Sequence, residues 1–99
     1  MKKLFISQPM RDKNDEEILA ERADAVQAAR EAFGEEVEVI DSFFVGCDHL
    51  NHPLEYLGES LKLLATADIA YFARGWNEAR GCRIEHDCAV AYGIHHIDA

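Results

Sequence analysis

The 99-residue chain has no apolar run that approaches the length of a membrane span. A transmembrane helix needs about 20 consecutive apolar residues. The amino-terminal segment MKKLFISQPM begins with a basic end, but its apolar stretch is too short for a secretory signal peptide. We therefore expect a cytoplasmic protein that has no membrane partner.

Positive charge is also scarce. The chain has 10 Lys and Arg against 19 Asp and Glu, which gives a net charge of −9 at neutral pH. A chain of this charge repels phosphates, so we expect neither nucleic acid nor an anionic membrane surface as the main partner. A small anionic ligand stays compatible with this charge, because a few local donors can outweigh the field of the whole protein.

Cysteine occurs only three times, an odd number without the spacing of a disulfide framework, which indicates reduced thiols. The segments CDHLNH and CRIEHDC bring cysteine close to histidine. Neither segment has the tight CxxC or HxxxH spacing that is typical of known zinc sites. We therefore expect no metal ion.

Short apolar strands alternate with amphipathic helices along the whole chain. Strands are predicted in KLFIS (3–7), VEVIDSFF (from 37), DIAYFA (68–73) and IHHI (94–97), and helices in NDEEILAERADAVQAAREAFG (14–34), from Pro53 onward, and in CRIEHDCAVAY (82–92). These strands are too apolar to face water, so they indicate a parallel sheet with helices on both faces. Asp68, which opens the third strand, is expected to accept backbone N–H bonds at a turn.

The predicted fold is a three-layer α/β sandwich of the flavodoxin or Rossmann-like kind. Right-handed crossovers leave few topologies for about four parallel strands, and the order 2-1-3-4 is favoured. The sequence contains no repeat, linker or low-complexity tract, and its length suits one domain, residues 1–99.

The strand order predicts where a ligand would bind. In an open parallel sheet the site lies beyond the carboxyl ends of the strands, where the order reverses, here between the first and third strands. The loop after the first strand offers the Ser7 hydroxyl, the Gln8 amide and the Arg11 guanidinium, which are donors for a sugar hydroxyl or a phosphate. Asp41, at the end of the second strand, either contacts a base or ribose at the same edge or simply closes a turn.

The loop after the third strand, RGWNEARG, is equipped for a flat or anionic ligand. Trp76 offers an indole that can stack on a ring. Gly81 permits close approach to the backbone, at the start of a helix whose free N–H groups favour an anion.

Glu85 follows within the first turn or so of that helix. The spacing of Ile84, Cys88 and Ala91 predicts a sheet-facing stripe, with Glu85 about 100° away at its edge. Spacing alone leaves two interpretations open. Glu85 is either a solvated residue favoured by the helix dipole or a carboxylate held at the mouth of a pocket.

The segments LFISQPMR, ADIAYFARGW and ARGCRIEHDCAVAYGI, in this order, resemble the nucleoside 2-deoxyribosyltransferase superfamily, most closely its small phage and bacterial members. The resemblance covers nearly the whole chain, up to Gly93. It implies that Glu85 is a nucleophile that attacks the anomeric carbon of the sugar, after which water or a second base resolves the glycosyl ester.

The resemblance also implies roles for other residues. Ser7 and Gln8, with Arg11 as a further candidate, would hold the sugar or its 5′-phosphate, and Trp76 and Asn77 would lie near the base. No cofactor is implied, because the chemistry requires only carboxylates. Members of the superfamily are commonly dimers or larger, so the expected state is a homodimer or higher homo-oligomer.

The chain is shorter than typical transferases of this family, and it also departs from the family pattern at the position of an acidic residue. Counting back eight residues from Asp68, where the family has an acidic residue that serves the leaving base, gives Ser60. Loss of an acid that protonates the leaving base would lower the reaction rate by about 10²- to 10⁴-fold. Asp41 or a residue of a partner chain is a candidate substitute. The departure keeps a non-catalytic nucleotide-binding module open as the alternative to an enzyme.

Overall fold

The structure, a computed structural model, describes residues 1–9, 13–40 and 52–99. In chain order the elements are β1 (Lys2–Ser7), α1 (Asp15–Phe33), β2 (Val37–Val39), α2 (Pro53–Leu64), β3 (Ile69–Phe72), a 3-10 turn (Trp76–Glu78), α3 (Arg80–Ala91) and β4 (His95–Asp98). The strands form one parallel sheet in the order β2-β1-β3-β4. The predicted fold class and strand order are confirmed.

The helices pack on both faces of the sheet, and alternate residues of β1 show this. Leu4 and Ile6 belong to an apolar cluster with Ala25 of α1. Phe5 lies in a second cluster with Ala89 of α3. Because successive strand residues point to opposite faces, α1 forms one outer layer while α2 and α3 form the other. No helix within the described ranges is long and apolar enough to cross a bilayer.

Helix α1 begins and ends where the sequence predicts. Asn14 Oδ1 accepts the backbone N–H of Glu17 at 2.8 Å, and Gly34 ends the helix in the left-handed conformation. The spacing of apolar residues predicts an inward face of Leu19, Ala23, Val26, Ala29 and Phe33. This face is partly wrong, because Leu19 is 66% exposed and Ala23 is exposed, whereas Ala29 is buried and Val26 and Phe33 pack against the core. Alanines recur around the whole helix, so the periodicity of apolar residues does not identify its buried face.

Asp68 joins the amino-terminal ends of β1 and β3. Its Oδ2 accepts the backbone N–H of Lys3 at 2.7 Å, and its own N–H donates to the Lys3 carbonyl at 2.9 Å. This confirms the predicted role of Asp68 as a backbone acceptor. It lies at the opposite end of the sheet from the carboxyl ends of the strands.

Asp68→Ala should lower the free energy of unfolding by about 1 kcal/mol, because the exposed Lys3 N–H then bonds to water instead of a carboxylate. Asp68→Asn keeps an oxygen acceptor and should lose less. Urea denaturation of the two variants beside the wild type measures the difference. Equal losses in both variants would contradict a role based on the acceptor oxygen.

Candidate functional site

Glu85 lies on the buried face of α3 and not at its edge. The buried residues of this helix are Cys82, Glu85 and Ala89, at spacings of three and four. Ile84 is 36% exposed and Ala91 is also exposed, while Cys88 packs against the core, so the predicted sheet-facing stripe is wrong at two of its three positions. The spacing of apolar residues predicts the wrong face, because the face that is buried contains the Glu85 carboxylate, which forms hydrogen bonds with buried polar side chains.

Two serine hydroxyls hold the Glu85 carboxylate. Ser7 Oγ donates to Glu85 Oε1 at 2.8 Å, and Ser60 Oγ donates to Glu85 Oε2. Ser7 ends β1 and Ser60 lies on α2, so the carboxylate of α3 connects three elements. Glu85 is 7% exposed and both serines are buried. Each carboxylate oxygen keeps lone-pair capacity beyond the single bond it accepts from a serine.

Burial controls the protonation of Glu85. Desolvation raises the pKa of the Glu85 carboxyl above its ordinary value, because the charged form loses water. The hydrogen bonds from Ser60 and Ser7 favour the charged form and act in the opposite direction, but the net pKa stays raised. The site therefore binds a proton on Glu85 more tightly than solvent-exposed glutamates do.

Cys82 is a buried neighbour of this site that sequence reasoning did not assign to it. Burial raises the pKa of the Cys82 thiol to about 11, a hydrogen bond with Ser7 lowers it in part, and the charge of Glu85 raises it. At neutral pH the group is a protonated thiol and a poor nucleophile. The signal available in the sequence was its position three residues before Glu85, which places both on one helix face.

Gln8 is not brought together with Glu85. Its Nε2 donates to the Ile18 carbonyl at 3.3 Å and to Glu21 Oε1 at 3.1 Å, and its Oε1 accepts from Arg22 Nη1 at 3.1 Å. These partners all belong to α1, on the other face of the sheet from Glu85. Ser7 and Gln8 are consecutive at the end of an extended strand, so their side chains diverge.

The two loops expected to flank the site do meet. Ser7 pairs with Phe72 at the carboxyl ends of β1 and β3. Just beyond them, Pro9 Cγ lies 3.6 Å from where a Cβ on Gly75 would be, and Gly75 has a left-handed φ of 89°. These loops therefore lie side by side at the reversal point in the strand order, as predicted.

The remaining predicted residues lie in the 3-10 turn and in the first turn of α3, which follow β3. Trp76 stacks on the His86 ring, with centroids 3.8 Å apart and planes at 13°, so that imidazole covers one face of the indole. Asn77 is exposed in the 3-10 turn. Beside Gly81 the space is open, with no atom within 4 Å of where a Cβ would be.

Two further candidates, Arg11 and Asp41, lie outside the described residues. In the sequence, Ser60 is distinguished only as the residue that stands where the resembled family has an acid. Its hydroxyl is one of the two partners of Glu85. The spacing of apolar residues in α2 gives no signal for that contact, because it depends on how α2 packs against α3.

Comparison with known protein families, with curated proteins and with solved structures found no match for this chain. Its function is therefore inferred from its own residues and their arrangement.

Glu85→Gln should gain stability relative to the wild type as the pH rises from about 4 to about 8. Because the pKa of Glu85 is raised, its protonated form contributes fully to the stability of the wild type below the unfolded carboxyl pKa of about 4.3. This contribution to stability is lost as the pH rises through the folded pKa. Glutamine has no proton to lose, so the variant escapes this loss. Each tenfold difference in proton affinity between folded and unfolded states corresponds to about 1.4 kcal/mol.

Thermal and urea unfolding across this pH range measure that gain. Asp87→Asn is the matched control, because it removes an exposed carboxylate from the same helix. An equal gain in both variants would assign the effect to net charge, and a Glu85→Gln gain that shrinks as the pH rises would contradict the raised pKa.

Ser60→Ala should raise the pKa of Glu85 further, because a hydroxyl that favours the charged form is removed. A hydrogen bond to a charged group contributes about 1.5–3 kcal/mol, so the midpoint should rise by about 1 pH unit or more. NMR titration of ¹³C-labelled glutamate side chains measures it. Thr66→Ala is the control, since the Thr66 hydroxyl bonds to the Leu63 carbonyl. An unchanged midpoint in Ser60→Ala would refute the contact.

Proposed function

We propose that the chain is an enzyme of the nucleoside 2-deoxyribosyltransferase type. It cleaves or exchanges the N-glycosidic bond of a (deoxy)nucleoside or nucleoside 5′-monophosphate, with Glu85 as the nucleophile. The observation that carries the proposal is the buried Glu85 carboxylate, held on both oxygens by Ser7 and Ser60 at the carboxyl end of β1. Strand order independently predicts a ligand site at this end of the sheet.

A purely structural role explains this carboxylate less well. Burying an ionisable group costs free energy, and its raised pKa shows that desolvation outweighs the two hydroxyl bonds. A glutamine in the same place would bond to hydroxyls without that cost. Titratable groups whose pKa is perturbed in this way are enriched at functional sites. The arrangement therefore favours a carboxylate that is kept for its chemistry.

The proposed reaction uses one carboxylate oxygen in two steps. A Glu85 oxygen forms a bond to the anomeric carbon as the bond from that carbon to the base nitrogen breaks, and the base leaves with the electron pair and takes up a proton. Water, or a second base in the transferase case, then attacks the anomeric carbon and releases the Glu85 carboxylate. The serine bonds orient the carboxylate and preserve its charged form before the attack.

The source of the proton for the leaving base distinguishes the two candidate functions. Ser60, which stands where the resembled family has an acid, donates to Glu85 and is too weak an acid to serve that base. In the enzyme, we propose that Asp41 or a residue of a second copy supplies the proton. The same observation favours the alternative, a non-catalytic module that binds a nucleotide at this end of the sheet.

Incubation with a panel of deoxynucleosides and their 5′-monophosphates, followed by chromatography, should show release of free base. Glu85→Gln and Glu85→Ala should abolish the release, since the nucleophile is gone. The rate should rise with pH through the raised Glu85 pKa, because only the ionised carboxylate attacks. Asp87→Asn, which removes an exposed carboxylate from α3, should retain activity.

Thermal shift on the same panel separates the alternatives. Base release that persists in Glu85→Gln would refute the proposed nucleophile. A ligand-dependent rise in melting temperature without base release would select the binding module. The absence of both effects on every member of the panel would refute a nucleotide site altogether.

A further inference from the structure

A second polar cluster lies at the edge of the sheet, where α3 packs against β4. His86 Nε2 lies 3.0 Å from Asp98 Oδ2, and His96 Nδ1 lies 2.9 Å from Asp98 Oδ1. The candidate ligand atoms of these three residues all lie within 4.8 Å of one another. The cluster has no part in the glycosidic mechanism, and its capacity to bind a ligand does not depend on that mechanism.

The sheet register explains why these residues converge. His96 and Asp98 are two apart on β4, so they point to the same face of the sheet. Their partners on β3 are Ala70 and Phe72, which belong to the apolar cluster on the α3 side. Helix α3 packs on this face and directs His86 toward β4. Two elements therefore supply the cluster by their ordinary packing.

Aromatic rings hold His86 in place. Trp76 stacks on the imidazole at 3.8 Å, and the Phe72 ring contacts it edge-on at 4.7 Å. Phe72 also lies 6.0 Å from the His96 ring. These contacts restrict the orientation of His86 without using its ring nitrogens. An apolar wall of this kind lowers the local dielectric, which strengthens coordination of a cation.

We propose that His86, His96 and Asp98 form a binding site for a divalent transition metal ion of the zinc class. Two imidazoles and one carboxylate suit zinc and its neighbours, whereas magnesium and calcium prefer oxygen ligands alone. Three protein ligands around zinc leave a fourth position for water. The site is partly exposed, with side-chain exposures of 14% for His86 and 28% for His96, so an ion can enter.

The geometry suits an ion after modest movement of the side chains. Ligand atoms about 2.0–2.1 Å from a tetrahedral zinc lie about 3.3 Å apart. Here the two imidazole nitrogens lie 3.0 Å and 2.9 Å from different oxygens of Asp98, and one ligand atom from each of the three residues fits within 4.8 Å. On binding, the hydrogen bonds to Asp98 give way to metal bonds. Each imidazole then carries its proton on the other ring nitrogen or releases it.

The spacing rules applied to the sequence could not identify this site. They test cysteines and histidines that lie close together along the chain, whereas His86 and Asp98 are separated by 12 positions. The expectation of no metal rests on those rules alone. The overall charge of −9 adds a long-range attraction for cations.

A metal-free hydrogen-bond clamp is the competing explanation, and Asp98→Asn separates the two. An asparagine oxygen still accepts from one imidazole N–H, and its amide N–H can donate to a neutral nitrogen of the other ring, so the clamp can be kept, whereas the anionic ligand is lost. His96→Gln removes an imidazole ligand from the partly exposed edge strand. His95→Gln is the matched control, because His95 is the neighbouring histidine on β4 and its ring lies against Phe33.

Each protein is stripped with a chelator and titrated with zinc chloride by calorimetry and thermal shift. The wild type and His95→Gln should bind one ion per chain with a rise in melting temperature. His96→Gln and Asp98→Asn should weaken the binding by more than about 100-fold. The melting temperature of each variant without metal verifies its fold. Cobalt in place of zinc reports imidazole and carboxylate ligands by its visible spectrum.

The proposal is overturned if the wild type binds no stoichiometric ion, or if His96→Gln and Asp98→Asn bind zinc as the wild type does. A thiolate-type cobalt spectrum would likewise overturn it, because it would assign the ion to cysteine. Catalytic base release has no bearing on these readouts, so failure here and failure of the proposed enzyme are distinguishable.

Discussion

The contact on which this end of the molecule depends is the Glu85 carboxylate between two serine hydroxyls. It ties β1, α2 and α3 to one carboxyl group. A carboxylate taken out of water needs a partner for each oxygen, so the relative position of these three elements is constrained by the chemistry of one side chain. The raised pKa of Glu85 shows that even so the compensation is incomplete.

Most of the fold was predictable because its signals are local. Short apolar strands separated by amphipathic helices leave few arrangements for a parallel sheet with right-handed crossovers, and the order β2-β1-β3-β4 is one of these few. The helix faces were less predictable, for two different reasons. In α1 the alanines give no contrast between faces, and in α3 the inward face contains Glu85, which a hydrophobicity count assigns to solvent.

The position of the candidate site was predictable, but its individual contacts were only partly so. The strand order predicts the end of the sheet at which the site lies. The alternation of side chains between the two faces of β1 then decides which of them reach the site. Applied strictly, that period groups Ser7 with Phe5 and separates it from Gln8, which bonds to α1. The contacts of Ser60 with Glu85 and of His86 with Asp98 join residues far apart in the chain. They depend on packing that no local pattern encodes.

Helix α3 supports both polar groups, and its geometry explains how. Consecutive helical residues differ by about 100° around the axis, so Glu85 and His86 face different neighbours. Glu85 reaches β1 and α2, while His86 reaches the edge strand β4 through Asp98. A rotation of α3 that improved one set of contacts would strain the other. Stacking of Trp76 on His86, immediately after the loop that follows β3, opposes such a rotation. The aromatic contact at the edge of the sheet therefore helps to keep the buried carboxylate where it is.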